Sequence, residues 1–128
     1  MSTIKVTNIQ ATGETATRAV SGVAAAWVNF NGTAFGVNDS LNVSSMDDNG
    51  TGNYQINYAS SFNNTSYNFT GAAMDSGVGT VSVSADEVAG AARTASQSGH
   101  FYVVRTQGTF GTQTDANNIS VTNHGGLA

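Results

Sequence analysis

Ala26-Trp27-Val28-Asn29-Phe30-Asn31-Gly32 and Asn53-Tyr54-Gln55-Ile56-Asn57-Tyr58 decide the fold of this 128-residue chain. Between them lie Leu41-Asn42-Val43-Ser44-Ser45-Met46 and the glycine-bearing run Asp47-Asp48-Asn49-Gly50-Thr51-Gly52. Tyr54, Ile56 and Tyr58 alternate with polar residues, and successive side chains of a strand point to opposite faces, so residues 53–58 read as a half-buried strand. Residues 41–46 form the partner strand and residues 47–52 reverse the chain, which makes a β-hairpin. Residues 26–30 read as a further strand closed by Asn31-Gly32, a dipeptide suited to a tight turn because both residues tolerate positive φ. Trp27, the single tryptophan, is expected in the core or at a subunit interface rather than as a ligand platform.

Outward from this segment, strands are expected at residues 67–74, 80–84, 101–106 and 119–122. His100-Phe101-Tyr102-Val103-Val104-Arg105 is the most apolar segment and reads as a central strand. Residues 85–97, with Asp86, Glu87, Val88 and Gly90, fit either a helical turn or a loop. Ile4, Val6 and Ile9 fit a short strand, residues 10–18 are polar, and residues 16–26 fit either a weak helix or an extended linker. Short strands separated by Gly and Asn turns describe an all-β protein, an antiparallel β-sandwich or jelly-roll-like domain. The expected organisation is an N-terminal arm over residues 1–22, for docking or oligomer contact, and a β-sandwich domain over residues 23–128.

Composition narrows the function classes. Charged residues are only 9% of the chain, against about a quarter in typical globular proteins, so Asn, Ser, Thr and Gly must supply the polar surface. That suits rigid extracellular or virion β proteins. The net charge is -4 and the cations are Lys5, Arg18, Arg93 and Arg105, too few and too scattered to neutralise a phosphate backbone. No nucleic-acid partner is expected. The chain has no cysteine, hence no disulfide framework and no thiolate site. No stretch approaches the about 18 apolar residues of a membrane span, and Met1-Ser2-Thr3-Ile4-Lys5 lacks the basic start and apolar run of a signal peptide.

His100 and His124 could join a Ser-His-Asp set only by geometry, and neither has a nucleophile elbow nearby; one begins a strand and the other sits in a glycine-rich tail. Asp47 and Asp48 are adjacent in a turn, where Asp bonds its own backbone, and Asp86 with Glu87 makes no persuasive acid/base couple. The 47–52 turn echoes a calcium loop, but Tyr58 stands where the bidentate Glu belongs. Asn31-Gly32-Thr33, Asn42-Val43-Ser44 and Asn68-Phe69-Thr70 are glycosylation triplets expected from composition, and Gly71, Gly77 and Gly79 follow no phosphate-loop pattern. Among Tyr54, Tyr58, Phe62, Tyr67, Phe69, Phe101, Tyr102 and Phe110, alternate rings are expected to fill the core rather than to stack on a sugar. No catalytic, cofactor-binding or metal-binding residue is assigned, and no enzyme is expected.

Residues 26–32 and 42–58, with their Trp-Val-Asn-Phe-Asn-Gly and Asn-Gly-Thr-Gly-Asn-Tyr patterns, resemble a β module of tailed-phage fibre and virion proteins. Asn64-Thr65-Ser66-Tyr67-Asn68-Phe69-Thr70-Gly71-Ala72-Ala73 and the opening Ser2-Thr3-Ile4-Lys5-Val6 extend the likeness, which covers residues 24–74 well and the rest loosely. The resemblance implies a β-sandwich or jelly-roll, a homotrimer, and a part in host attachment as a tail-fibre or appendage component. It implies a virion protein, assembled in the host cytoplasm and released by lysis, with the arm contacting other virion proteins and a host-surface glycan or receptor as the outer partner. A capsid decoration or head-fibre protein and a carbohydrate-binding module are the alternative readings. No catalytic residue comes with it, and no insertion into a membrane is expected. Any binding surface is expected in the loops around the hairpin.

Overall fold

The computed structural model describes residues 2–9, 18–19, 23–75, 80–85, 92–107 and 110–128. Those residues form strands and connections without a helix. In chain order the strands are β1 (Asn8–Ile9), β2 (Arg18–Ala19), β3 (Ala24–Asn31), β4 (Gly36–Leu41), β5 (Val43–Asp48), β6 (Asn53–Tyr58), β7 (Asn68–Met74), β8 (Thr80–Ala85), β9 (Phe101–Gln107), β10 (Phe110–Gln113) and β11 (Asn118–His124). β1 and β2 pair with each other as a separate ribbon.

The other strands build an antiparallel β-sandwich. One sheet runs β4-β3-β11-β7; the other runs β10-β9-β6-β5, with β8 also paired to β9. β8 lies along residues 101–106 of β9, while β6 meets residues 101–102 and β10 meets residues 104–107. β9 is therefore the central strand its apolar sequence calls for. The edge of β6 beyond Tyr54 is taken by residues 95–98: Ser98 N–H donates to Ile56 O, Tyr58 N–H to Ser96 O and Phe62 N–H to Ala95 O, at 2.8–2.9 Å. Of the segment expected as helical turn or loop, residues 92–97 are irregular and non-helical, and Asp86, Glu87, Val88 and Gly90 lie outside the described residues, as do Gly77, Gly79 and residues 10–17.

Period-two alternation places the core. Ala26, Val28 and Phe30 of β3, Tyr54, Ile56 and Tyr58 of β6, Phe101 and Val103 of β9, and Ile119 and Val121 of β11 are buried between the sheets. Phe30 meets Tyr54 edge-on at 4.9 Å and Phe101 at 6.2 Å, and Phe69 lies 5.3 Å from Phe101. A second group, Tyr58, Phe62 and Tyr67, closes the other end with centroids 4.2–5.6 Å apart. Full burial of each such ring contributes about 1.5–3 kcal/mol. Gly71 lets β7 approach β8: a Cβ there would stand 2.6 Å from Val83 Cγ1.

Trp27 does not pack in the core. It alternates with Ala26 and Val28, so it faces outward, half-buried, with Leu41 and Thr122 opposite in register. Asn31-Gly32 closes β3 and opens a turn over residues 32–35 as expected, but without positive φ; Gly32 is needed instead because a Cβ would overlap the Tyr54 hydroxyl and sit 3.0 Å from Ile119 Cδ1. Residues 41–46 are not one strand, because Asn42 takes φ 55 and carries the chain from β4 in one sheet to β5 in the other. The Asn42 amide holds this corner, accepting from Ser60 N–H at 2.7 Å and donating to Ser60 O at 3.0 Å. Residues 24–26, expected as the end of either a weak helix or an extended linker, begin β3, and His124 ends β11 rather than lying in a tail.

Candidate functional site

The outward face of the four-stranded sheet brings together the uncharged polar side chains that the composition foreshadows. Direct cross-strand partners share a face, so Leu41 and Asp39 on β4, Trp27 and Asn29 on β3, and Thr122 and Ser120 on β11 all point outward. Thr70 and Ala72 on β7 continue the rows beside Thr122 and Ser120, and Met74 stands beside Asn118. Met74 is 72% exposed and Leu41 48%.

Asn29 is the hub. Its Nδ2 donates to Asn118 Oδ1 at 2.6 Å and to Ser120 Oγ at 2.8 Å, while its Oδ1 accepts from Asn38 Nδ2 at 2.8 Å. Three strands are thereby tied by side chains as well as by backbone. Beside this network Ala72, Ala73, Met74, Asn118 and Ser120 border a shallow depression of about 310 Å³. Asp39 accepts from Ser40 N–H, and Asp75, which follows Met74, pairs with Arg105 and accepts from Asn117 Nδ2.

The opposite end of the hairpin is built for rigidity. Tyr54 Oη and Gly52 N–H both donate to Asp115 Oδ1 at 2.7 Å, pinning the 49–52 turn to the 114–117 loop. Burial first, and then the Asp115 carboxylate, hold the Tyr54 phenol well above its ordinary value. Burial likewise raises Tyr58, with the Tyr67 hydroxyl adding to it. Gly52 adopts φ +64, and a Cβ would lie 2.6 Å from Thr114 N and 2.7 Å from Val103 O, so the position is closed to other residues. Sequence reasoning misses Asp115; no local pattern announces a carboxylate that serves a turn about 60 residues away.

Asp47 accepts from Asn57 Nδ2 at 3.0 Å and Asp48 from Gly50 N–H at 3.0 Å, so the supposed calcium turn uses these carboxylates on its own chain. His100 lies beside Asn49, next to the hairpin turn, whereas His124 belongs to the other sheet. Of the aromatic set, Tyr54, Tyr58, Phe62, Tyr67 and Phe101 are core residues, Phe69 and Tyr102 are partly buried, and the Phe110 side chain lies outside the described residues. Among the described residues no three His, Asp or Glu side chains converge as a metal site. The depression beside Asn29 lies on a sheet face. No family model, curated protein or solved structure matches the chain.

Proposed function

We propose that the chain is a non-enzymatic bacteriophage virion component, a tail-fibre or appendage module that contributes to host attachment and assembles as a homotrimer. The observation that carries this reading is the set of open assembly elements around a rigid sandwich. Among the described residues β4 and β7 are the edges of the four-stranded sheet, and the arm presents Ile4 at 86% and Val6 at 52% exposure. Unpaired strand edges and exposed aliphatic side chains in so small a domain are what a rotationally symmetric neighbour covers. The resemblance of residues 24–74 to phage fibre modules supplies the biological setting. The arm then contacts other virion proteins, and the outward face of the four-stranded sheet is left for the host.

Light scattering on the purified protein tests the assembly. A trimer at micromolar concentration supports the proposal, and a monodisperse monomer refutes it. Immunogold labelling of intact particles tests the location. Label on the tail supports attachment, while label confined to the head replaces this reading with a capsid decoration or head-fibre role.

A further inference from the structure

We infer that the outward face around Asn29 binds an uncharged saccharide of one or two rings. The inference deepens the attachment reading and rests on it only for its biological use.

The donors and acceptors on this face are set before any ligand arrives. Both N–H groups of Asn29 and its carbonyl oxygen are already engaged, by Asn118, Ser120 and Asn38. Asn29 thus fixes the Asn118 amide with Oδ1 turned inward, which leaves the two Nδ2 hydrogens of Asn118 facing away. It also occupies a lone pair of Ser120 Oγ, which leaves that hydroxyl's hydrogen to donate elsewhere. An oriented amide beside an oriented hydroxyl matches the vicinal hydroxyls of a pyranose, each of which accepts and donates. Side chains held by their own hydrogen bonds lose little freedom on binding.

The surroundings select the class of ligand. Ala72 and the exposed Met74 form an apolar ledge against the polar row, and the C–H face of a sugar ring needs such a ledge. Asp75 is paired with Arg105, while the exposed Asp39 beside Asn29 keeps its negative charge with one oxygen accepting from Ser40 N–H, so the face disfavours an anionic ligand. A depression of about 310 Å³ is at the lower end of ligand clefts and has room for one or two sugar rings. Trp27 lies two residues along β3 from Asn29 on the same face, with Thr122 beside it as Ser120 is beside Asn29. It is the only tryptophan, so its fluorescence reports on this face alone.

The test is titration of the ¹⁵N-labelled full chain with uncharged mono- and disaccharides of glucose, galactose, mannose and N-acetylglucosamine, with sialyllactose as the charged comparison. The expected result is saturable shifts of the Asn118 side-chain amide and of Ser120 and Ala72 with at least one uncharged sugar, together with a change in Trp27 emission. Asn118→Ala and Ser120→Ala each remove one exposed polar partner from the outward face and should weaken binding roughly five- to tenfold, with circular dichroism unchanged. Absence of saturation with every uncharged sugar overturns the inference, as does tighter binding of sialyllactose or unchanged affinity in both variants. Shifts at these residues that follow protein concentration instead of sugar overturn it too, and make the face a contact between copies. Light scattering and particle labelling are independent of these readings, so a trimeric, tail-located protein that binds no sugar refutes this inference and leaves the proposed function standing.

Discussion

Replacing Gly32 by alanine should destabilise the sandwich through one identifiable atom, the Tyr54 hydroxyl. The new methyl would overlap Tyr54 Oη and stand 3.0 Å from Ile119 Cδ1 and 3.1 Å from Ala116 O. Tyr54 is fully buried and packed at 4.9 Å against Phe30, so its ring cannot swing clear without giving up its bond to Asp115. A hydrogen bond to a charged acceptor contributes about 1.5–3 kcal/mol, and modest overpacking costs about 1 kcal/mol or more. G32A should therefore lose about 3 kcal/mol, a fall in Tm on the order of 12 °C at roughly 4 °C per kcal/mol. Tyr54→Phe alone should lose about 2 kcal/mol, the same bond without the overpacking. The double variant decides the matter. Once the methyl has displaced the hydroxyl, deleting that hydroxyl removes nothing more, so G32A/Y54F should be no less stable than G32A, with a coupling of about 2 kcal/mol. Urea denaturation followed by far-ultraviolet circular dichroism and by Trp27 fluorescence measures all three. Strictly additive losses, near 5 kcal/mol in the double variant by this reckoning, would refute the role given to Tyr54.

Other expected outcomes test separate parts of the fold. Asn123 is fully buried on the inward face of β11 with neither amide atom hydrogen-bonded among the described residues, so Asn123→Val should raise stability by about 1–2 kcal/mol in chemical denaturation; a loss of that size would mean the amide is satisfied after all. Trp27→Phe, on the outward face, should cost about 1 kcal/mol or less, whereas Phe30→Ala, in the core, should cost about 3–5 kcal/mol, and equal effects in thermal melts would contradict the assigned faces. Alkali should unfold the chain early. The folded-state phenols of Tyr54 and Tyr58 are raised above the ordinary value of 10.0, so their contribution is complete below about pH 10 and falls as pH rises further and the unfolded chain ionises first. Melting temperature followed from pH 8 to 12 checks this, and a flat profile across about pH 10–12 would count against it.

The hairpin and the core were legible because alternation alone specifies them. Tyr54, Ile56 and Tyr58 cannot all be buried in any other regular conformation of that segment. The same rule places Trp27 outside once Ala26, Val28 and Phe30 are taken as the buried set; of the two places expected for it, core or subunit interface, ring size argued for the first and position rules that one out. β4 and β10 were not anticipated. Gly36–Leu41 and Phe110–Gln113 carry no clear alternation, and their pairing is set by backbone hydrogen bonds to β3 and β9. The corner at Asn42 was hidden in an Asn-rich chain where one more asparagine carries little information, although it is a residue type that accepts positive φ. The Asn29 network was out of reach for a different reason. Asn29 and Asn118 are 89 positions apart, and nothing local shows that β3 and β11 are neighbours.

That neighbouring of β3 and β11 has a mechanical consequence. Ala24 opposes His124 in the ladder, and Phe30 opposes Ile119 at its far end. A pull applied across Ala24 and His124 therefore loads the rungs one after another, as a zipper, instead of shearing them together. The sandwich should yield at low force under that load and resist far better when the same pull is applied between Asn31 and His124, at opposite ends of the ladder. An attachment module built on this plan would have to route tension away from its own first and last strands.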